Sequence, residues 1–480
     1  MVDRFDNLIG GEWHPGATYR SNINPSNTAD VIGDYAQAST DQVSLAIDAA
    51  EIAFQGWSTT GIQTRADILE KAAAEILSRR EELGTLLARE EGKVLAEAIG
   101  EVTRAGQIFR FFAGEALRNS GEHTESVRAG ITIDTAREPL GPIGIITPWN
   151  FPIAIPAWKI APALAFGNSV VFKPAELVPG CAWALTEILQ RAGLPDGVLN
   201  LVSGPGSRVG ASIINDPRIR AVSFTGSQPV GKQVSNACSS RNAKVQLEMG
   251  GKNPLLVLKD ADFDVAVECA VNGAYFSTGQ RCTASSRLVV ERSILKPFIE
   301  AVKTRLSTLV VGDALDEATD IGPVASESQL HQNLEYVAIG KAEGAELLFG
   351  GQTAPSNANG FFMTPALFVG TSNDMRINQE EIFGPVASVI AVEDYEEGVN
   401  VANDTPFGLC AGICTQSLKF ARQFQRESRA GMAMVNLPTA GVDYHVPFGG
   451  NRGSSYGPRE QGRYAREFYT SVKTTYVASP

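Results

Sequence analysis

Histidine is scarce in this chain: four residues in 480, at positions 14, 123, 331 and 445, form no cluster in sequence. A histidine-rich metal site is therefore not written in the spacing. Cysteine is equally sparse. Six cysteines, at 181, 238, 269, 282, 410 and 414, are too few and too scattered for a disulfide scaffold. Cys410 and Cys414 are not followed by a second pair that would complete a zinc site. Positive charge is in deficit, with 41 Lys and Arg against 53 Asp and Glu, a net charge of −12 and a pI near 5.1. That balance excludes a general nucleic-acid binder, which covers phosphates with basic patches. No apolar run reaches the roughly 18 residues of a membrane span. The opening residues Val2-Asp3-Arg4-Phe5-Asp6 lack the basic-then-apolar pattern of a signal peptide. These absences lead us to expect a reduced, cytoplasmic protein with no metal, nucleic-acid or membrane partner.

What is present is ordinary globular composition, 44% apolar and 20% charged, in a chain long enough for two or three domains. Residues 1–40 read as short strands and turns. Helical periodicity runs from about 41 to 118, with Asp41 a plausible cap for the first helix and Thr64-Arg65-Ala66 opening the second. Phe109, Phe111 and Phe112 read as core at a helix end. Residues 126–135, with Gly130 among β-formers, predict a hairpin, and the alternating segment 467–477 predicts a strand. Each needs the other, or a neighbouring subunit, to pair. Between 143 and 258, strands predicted at 143–147, 169–173, 198–202, 221–224, 243–247 and 254–258 alternate with helices near 180–192, 207–215 and 229–239. That rhythm predicts a parallel, doubly wound sheet, which binds ligands at the carboxyl ends of its strands. Residues 259–440 alternate again.

Three loops carry chemistry. Gly279-Gln280-Arg281-Cys282-Thr283 sets a cysteine among small polar residues behind an arginine, where a nearby positive charge favours thiolate. Gln246-Leu247-Glu248-Met249-Gly250-Gly251 delivers a glutamate at a strand end beside a flexible glycine pair. Thr147-Pro148-Trp149-Asn150-Phe151-Pro152 holds an asparagine amide rigidly at the end of a buried strand. A nucleophile, a base and an oxyanion donor are thus available. A fourth stretch imitates a P-loop: Gly226, then Gly231-Lys232. Gln233 stands where that motif needs Ser or Thr for magnesium. It reads better as a strand-to-helix turn whose helix N-terminus, with Ser227, faces a pyrophosphate. Glu176, after the strand ending at Lys173, can accept both hydroxyls of a ribose and so leans towards NAD. Lys159 and Lys173 lean the other way, and NADP stays open.

In order and spacing, with Glu248 and Cys282 34 positions apart, these loops resemble those of the aldehyde dehydrogenase superfamily. Met249 replaces the usual leucine, a volume-conserving change. Asn378-Gln379-Glu380-Glu381-Ile382-Phe383-Gly384-Pro385 and Pro447-Phe448-Gly449-Gly450 extend the likeness to nearly the whole chain. The segment Ser454-Ser455-Tyr456-Gly457-Pro458-Arg459-Glu460 has one residue more than the family pattern and is expected to touch no catalytic role.

The resemblance implies an α/β fold with a Rossmann-type dinucleotide-binding domain (1–119 and 141–250), an α/β catalytic domain (251–448) and a β oligomerisation flap (120–140 and 449–480) serving a homodimer or homotetramer. It implies Cys282 as nucleophile, Glu248 as base, and Asn150 with the Cys282 N–H as oxyanion donors. It implies that Lys173 and Glu176 meet the adenosine ribose of NAD or NADP, with Lys159 beside them. Glu381 would hold the nicotinamide ribose and Phe383 pack its ring. Thr147, Pro148, Trp149, Gly206, Gly210, Phe224, Gly226, Ser227 and Met249 would complete the dinucleotide cleft. Arg281, with Arg287 close by, either binds a substrate carboxylate or pairs with a structural acid; Asn150 and Phe151 would flank the substrate. The cysteine loop, together with Val435–Gly450, is similar to the α-ketoglutaric semialdehyde (2,5-dioxopentanoate) dehydrogenases, whose product is 2-oxoglutarate. Succinic or glutaric semialdehyde dehydrogenase and a broad-specificity enzyme are the alternatives. Outside that activity stand a silent binding protein and a cysteine hydrolase without redox chemistry.

Overall fold

A computed structural model describes residues 2–355 and 359–478. Two open sheets and two small ones make the frame. The larger sheet has eight strands in the order Ser455–Tyr456, Lys244–Met249, Ala221–Gly226, Pro142–Ile146, Ser169–Lys173, Leu199–Leu201, Asn7–Ile9 and Glu12–His14. Its inner strands are parallel and its edges antiparallel. They are buried along most of their length because helices cover both faces. From Pro142–Ile146 the chain adds strands first on one side and then, with Ala221–Gly226, on the other. The strand order therefore reverses between these two, and that switch point is where such sheets open a ligand crevice.

The strands at 169–173 and 221 onwards fall where the sequence puts them, but Pro254–Val257 departs from its predicted sheet. It lies inside the second sheet, between Arg287–Glu291 and Cys410–Cys414. The glycine pair Gly250-Gly251 stands between the two sheets in the chain, and periodicity alone cannot register that change. This seven-stranded sheet is parallel apart from the edge strand Glu346–Phe349.

The helix Thr40–Trp57 is capped by Ser39 rather than Asp41. Ser39 Oγ accepts the Gln42 N–H at 3.2 Å while Gln42 Oε1 accepts the Ser39 N–H at 3.1 Å, a reciprocal capping box. The long helix Leu95–Leu117 matters most for the site. One face buries Phe109 and Phe112 in the main core, with Phe112 edge-on to Phe166 at 6.4 Å. Another places Glu97, Glu101 and Arg104, spaced as neighbours on one helix face, along a cavity.

The segment 126–135 does belong to a hairpin, Glu122–Glu125 with Ile131–Pro139, and Thr470–Ala478 pairs along the whole second strand, from Thr470 opposite Pro139 to Ala478 opposite Ile131. Ser455–Tyr456, however, pairs with Lys244–Met249 in the eight-stranded sheet. The stretch 449–480 is therefore divided between two sheets. No described helix is long and apolar enough to cross a membrane.

Phe112→Ala removes a fully buried ring. The expected loss is about 3–5 kcal/mol, read as a lower denaturant midpoint for this part of the molecule.

Candidate active site

Apart from the cysteine loop, the chemical loops stand at the carboxyl ends of strands. Pro142–Ile146 delivers Thr147–Phe151, Ala221–Gly226 delivers Ser227, and Lys244–Met249 carries Glu248. The cysteine loop follows the helix Phe263–Tyr275 and a tight turn in which Ser277 and Thr278 have φ of 51° and 55°. Two cavities meet at Cys282. One, of about 590 Å³, is walled by Pro148, Trp149, Gly226, Ser227, Met249, Glu381 and Phe383, among others. The other, of about 270 Å³, reaches Cys282 past Phe151, Trp158 and Phe448. The half-buried cysteine is thus open to two separate approaches.

The loops are tied to one another through backbone oxygens. Asn150 Nδ2 donates to the Gln280 carbonyl at 2.9 Å, two residues before the cysteine. The Asn150 carbonyl in turn accepts Lys93 Nζ at 2.8 Å. Asn253 Nδ2 donates to the Cys282 carbonyl at 2.7 Å. A Cβ at Gly251 would press on that backbone carbonyl at 2.8 Å, which favours glycine there, and one at Gly250 would displace the Glu381 carboxylate.

The electrostatics correct the expected role of Arg281. The Cys282 thiol is pushed above its ordinary value, first by burial and then by Glu381 and Glu248. The adjacent arginine does not reverse that. It donates Nη2 to the Asn272 carbonyl and lines the smaller cavity. Arg287 is excluded from substrate altogether. It is fully buried, and its guanidinium bonds the carbonyls of Lys252, Val401 and Ala402 and the side chain of Asn373.

Glu248 is held well above the usual carboxylate range, by burial first and by the charge of Glu460 second. Ser455 opposes this. Its Oγ accepts the Gly450 N–H at 2.6 Å and so turns its own proton to Glu248 Oε2 at 2.5 Å. Glu460 accepts Trp158 Nε1 at 2.7 Å and is paired with Lys159, whose Nζ also reaches Ser223 Oγ at 2.8 Å. Two expectations change here. Lys159 is fully buried against Glu460, behind Glu248, rather than beside a ribose. The tail 454–460, expected to be chemically silent, supplies both the hydroxyl on Glu248 and the carboxylate beside it. Sequence reasoning missed Ser455, Glu460, Lys93 and Arg104, because none lies within the three loop motifs.

Among the remaining cleft candidates, Glu381 accepts the Gly251 N–H at 2.9 Å and is raised to about 7 by burial. Trp149 and Phe383 meet edge to face at 5.2 Å across the larger cavity. Phe224 packs against the Gly226 turn and Met249 under Gly231. Lys173, Glu176, Gly206 and Gly210 gather elsewhere on the same edge of the sheet. Lys173 passes 3.8 Å from the Cβ position of Gly210, its amine lowered to about 8 by burial, and Glu176 faces Arg20 at 3.4 Å. Thr147 is buried, its N–H on the Lys173 carbonyl at 3.2 Å. Lys232 of the apparent P-loop is exposed and lines neither cavity.

The model of the aldehyde dehydrogenase family matches residues 13–475. The chain belongs to the aldehyde dehydrogenase family. This aldehyde dehydrogenase is 43% identical over 477 residues to the alpha-ketoglutaric semialdehyde dehydrogenase of Bacillus subtilis, covering 98% of this chain and 97% of that one. It is 41% identical to the 2,5-dioxopentanoate dehydrogenase of Saccharolobus solfataricus, with 95% of each chain covered. Betaine aldehyde dehydrogenase of Staphylococcus aureus, solved in complex with NAD+, superposes with a TM-score of 0.96 at 34% identity, over 98% of this chain and 95% of that one.

Ser455→Ala deletes the hydroxyl that favours ionised Glu248. One hydrogen bond to a charged group corresponds to about one pKa unit, so the acidic limb of the kcat profile is expected to move up by about one pH unit.

Proposed function

We propose that this aldehyde dehydrogenase oxidises 2,5-dioxopentanoate to 2-oxoglutarate through an acyl group carried on Cys282. The observation that carries the reading is the position of Cys282 at the junction of two cavities, of about 590 and 270 Å³, so that a dinucleotide and a small aldehyde can reach its sulfur from different sides. The choice of aldehyde is supported by what the relatives from Bacillus subtilis and Saccharolobus solfataricus are named for.

The residues of the larger cavity fit a nicotinamide dinucleotide. The N-terminus of the helix Gln228–Ser239 opens into it, as a pyrophosphate requires, and Glu381 offers a carboxylate to ribose hydroxyls. When bound, the dinucleotide supplies the hydride acceptor. Glu176 would accept the adenosine ribose hydroxyls and repel a 2′-phosphate, so NAD is the preferred form.

Cys282 Sγ attacks the carbonyl carbon as a thiolate. Because its thiol is raised, a base must take the proton, and the raised carboxyl of Glu248 is suited to that task. The Asn150 amide and the Cys282 N–H stabilise the oxyanion, where one such donor is typically worth about 100- to 1,000-fold in rate. Glu248 then removes the proton from the water that hydrolyses the thioester. Both titrating groups act in their deprotonated forms and both are raised, so kcat/KM rises with pH from neutrality into the alkaline range.

The exposed Val472, Tyr476 and Val477 on the strand Thr470–Ala478 support a homodimer or homotetramer built on that sheet. The scarcity and scatter of cysteine support a cytoplasmic setting.

The test is initial-rate NAD(P)H formation on 2,5-dioxopentanoate, succinic semialdehyde and butanal, each with NAD and with NADP. The expected result is a preference for 2,5-dioxopentanoate with NAD, abolished by Cys282→Ala. Equal rates on butanal would leave a broad-specificity enzyme. Absence of turnover with every pair would support a silent binding protein, and turnover without dinucleotide a hydrolase.

A further inference from the structure

The smaller cavity carries an excess of positive charge. Lys93, Arg104 and Arg281 line it against Glu97 and Glu101. Lys93 is already matched, its Nζ 2.6 Å from Glu101 Oε2. Glu101 also uses its other oxygen on the N–H groups of Ile153 and Ala154, both at 3.1 Å, and Glu97 accepts the Ser277 N–H at 3.2 Å. Among the described residues, neither arginine has a carboxylate within 4.0 Å, and the Nε of each is buried without a partner. A guanidinium drawn out of bulk water without a counter-ion is destabilising, and burial holds both groups below their ordinary values.

The two arginines differ in freedom. Arg281 is tethered to the Asn272 carbonyl. Arg104 gives one amine, Nη2, to Gln461 Oε1 at 3.0 Å, and its Nη1 makes no hydrogen bond among the described residues. Its guanidinium stands 5.6 Å from the centre of the Trp158 ring, which shares the same cavity wall. A planar guanidinium with free donors is suited to grip a carboxylate through two parallel hydrogen bonds.

We propose that Arg104 is the specificity-determining residue of this enzyme: it binds the carboxylate at the far end of the substrate while Cys282 takes the aldehyde carbon. The assignment rests on the semialdehyde reading above. It replaces Arg281 as the main anchor; Arg281 contributes its positive field from the cysteine side. One carboxylate per substrate neutralises the excess charge, and an uncharged aldehyde leaves it unmatched.

The test compares kcat/KM for 2,5-dioxopentanoate, succinic semialdehyde and butanal in the wild type, Arg104→Gln, Arg104→Lys and Arg281→Gln. Inhibition by glutarate, an unreactive dicarboxylate, is measured alongside. Loss of a buried bidentate charge pair is commonly worth about 100-fold. The ratio of kcat/KM on 2,5-dioxopentanoate to that on butanal is expected to fall by about that factor in Arg104→Gln, mainly through KM. Arg104→Lys, which keeps the charge but not the fork, falls between, and Arg281→Gln has the smaller effect. The glutarate inhibition constant rises in parallel. An unchanged ratio in Arg104→Gln, or an equal fall on all three aldehydes with unchanged glutarate inhibition, overturns the proposal. A wild type that prefers a different carboxylated aldehyde, with that preference lost in Arg104→Gln, sinks the 2,5-dioxopentanoate reading and sustains the anchor. A wild type with no preference for any carboxylated aldehyde overturns both.

Discussion

The buried pair of Lys159 and Glu460 is the interaction on which the rest of the site depends. It places a carboxylate behind Glu248 in a volume with little water, where one negative charge raises the proton affinity of the next. Glu460 is kept there by Lys159 and the Trp158 indole, and Glu248 is eased back first by the hydroxyl of Ser455 and then by the charges of Lys159 and Arg459. Glu248 is thereby biased towards holding a proton, as the proposed role of accepting one from a thiol or a water requires. Without the lysine, Glu460 would be an uncompensated buried charge, a loss of about 3–5 kcal/mol by comparison with other broken pairs.

The same rule of matched charge governs the other side of Cys282. Lys93 and Glu101 neutralise each other, and between them they hold the loop that presents Asn150: the lysine through the Asn150 carbonyl, the glutamate through the N–H groups that open the next helix. Arg104 stands outside this matched set. Arg281 also lacks a carboxylate partner, but it is tethered to the Asn272 carbonyl, whereas Arg104 keeps free donors for the proposed substrate carboxylate.

How much of this could be read from the residues depends on how local each signal is. The strands at 169–173 and 221 onwards, the helix after Ser227 and the hairpin after residue 120 were legible, because alternation and turn residues act over a few positions. So were the three loops, since a cysteine, a glutamate and an asparagine each sit beside residues that shape their own turn. Lys159 was misplaced because a lysine near a strand end looks the same whether it faces a ribose or a glutamate 301 positions away. Arg281 seemed the natural activator of its neighbour, but adjacency in sequence says nothing about where a long side chain points. Arg104 belongs to an amphipathic helix whose polar positions look solvated until the fold covers them. Ser455 was discounted as part of a length variation, and only the pairing of its strand with the Glu248 strand reveals its reach.

In the proposed reaction Cys282 carries the substrate covalently and Glu248 releases it. Intact-mass spectrometry of Glu248→Gln, quenched after mixing with NAD and 2,5-dioxopentanoate and followed by peptide mapping, addresses both halves at once. Because the same carboxylate also serves the Cys282 thiol, the adduct is expected to form more slowly than in the wild type, but as an added mass equal to the 2-oxoglutaryl group, confined to the peptide bearing Cys282 and persisting far longer. A variant that turns over without accumulating any adduct, or an adduct on another cysteine, would contradict it.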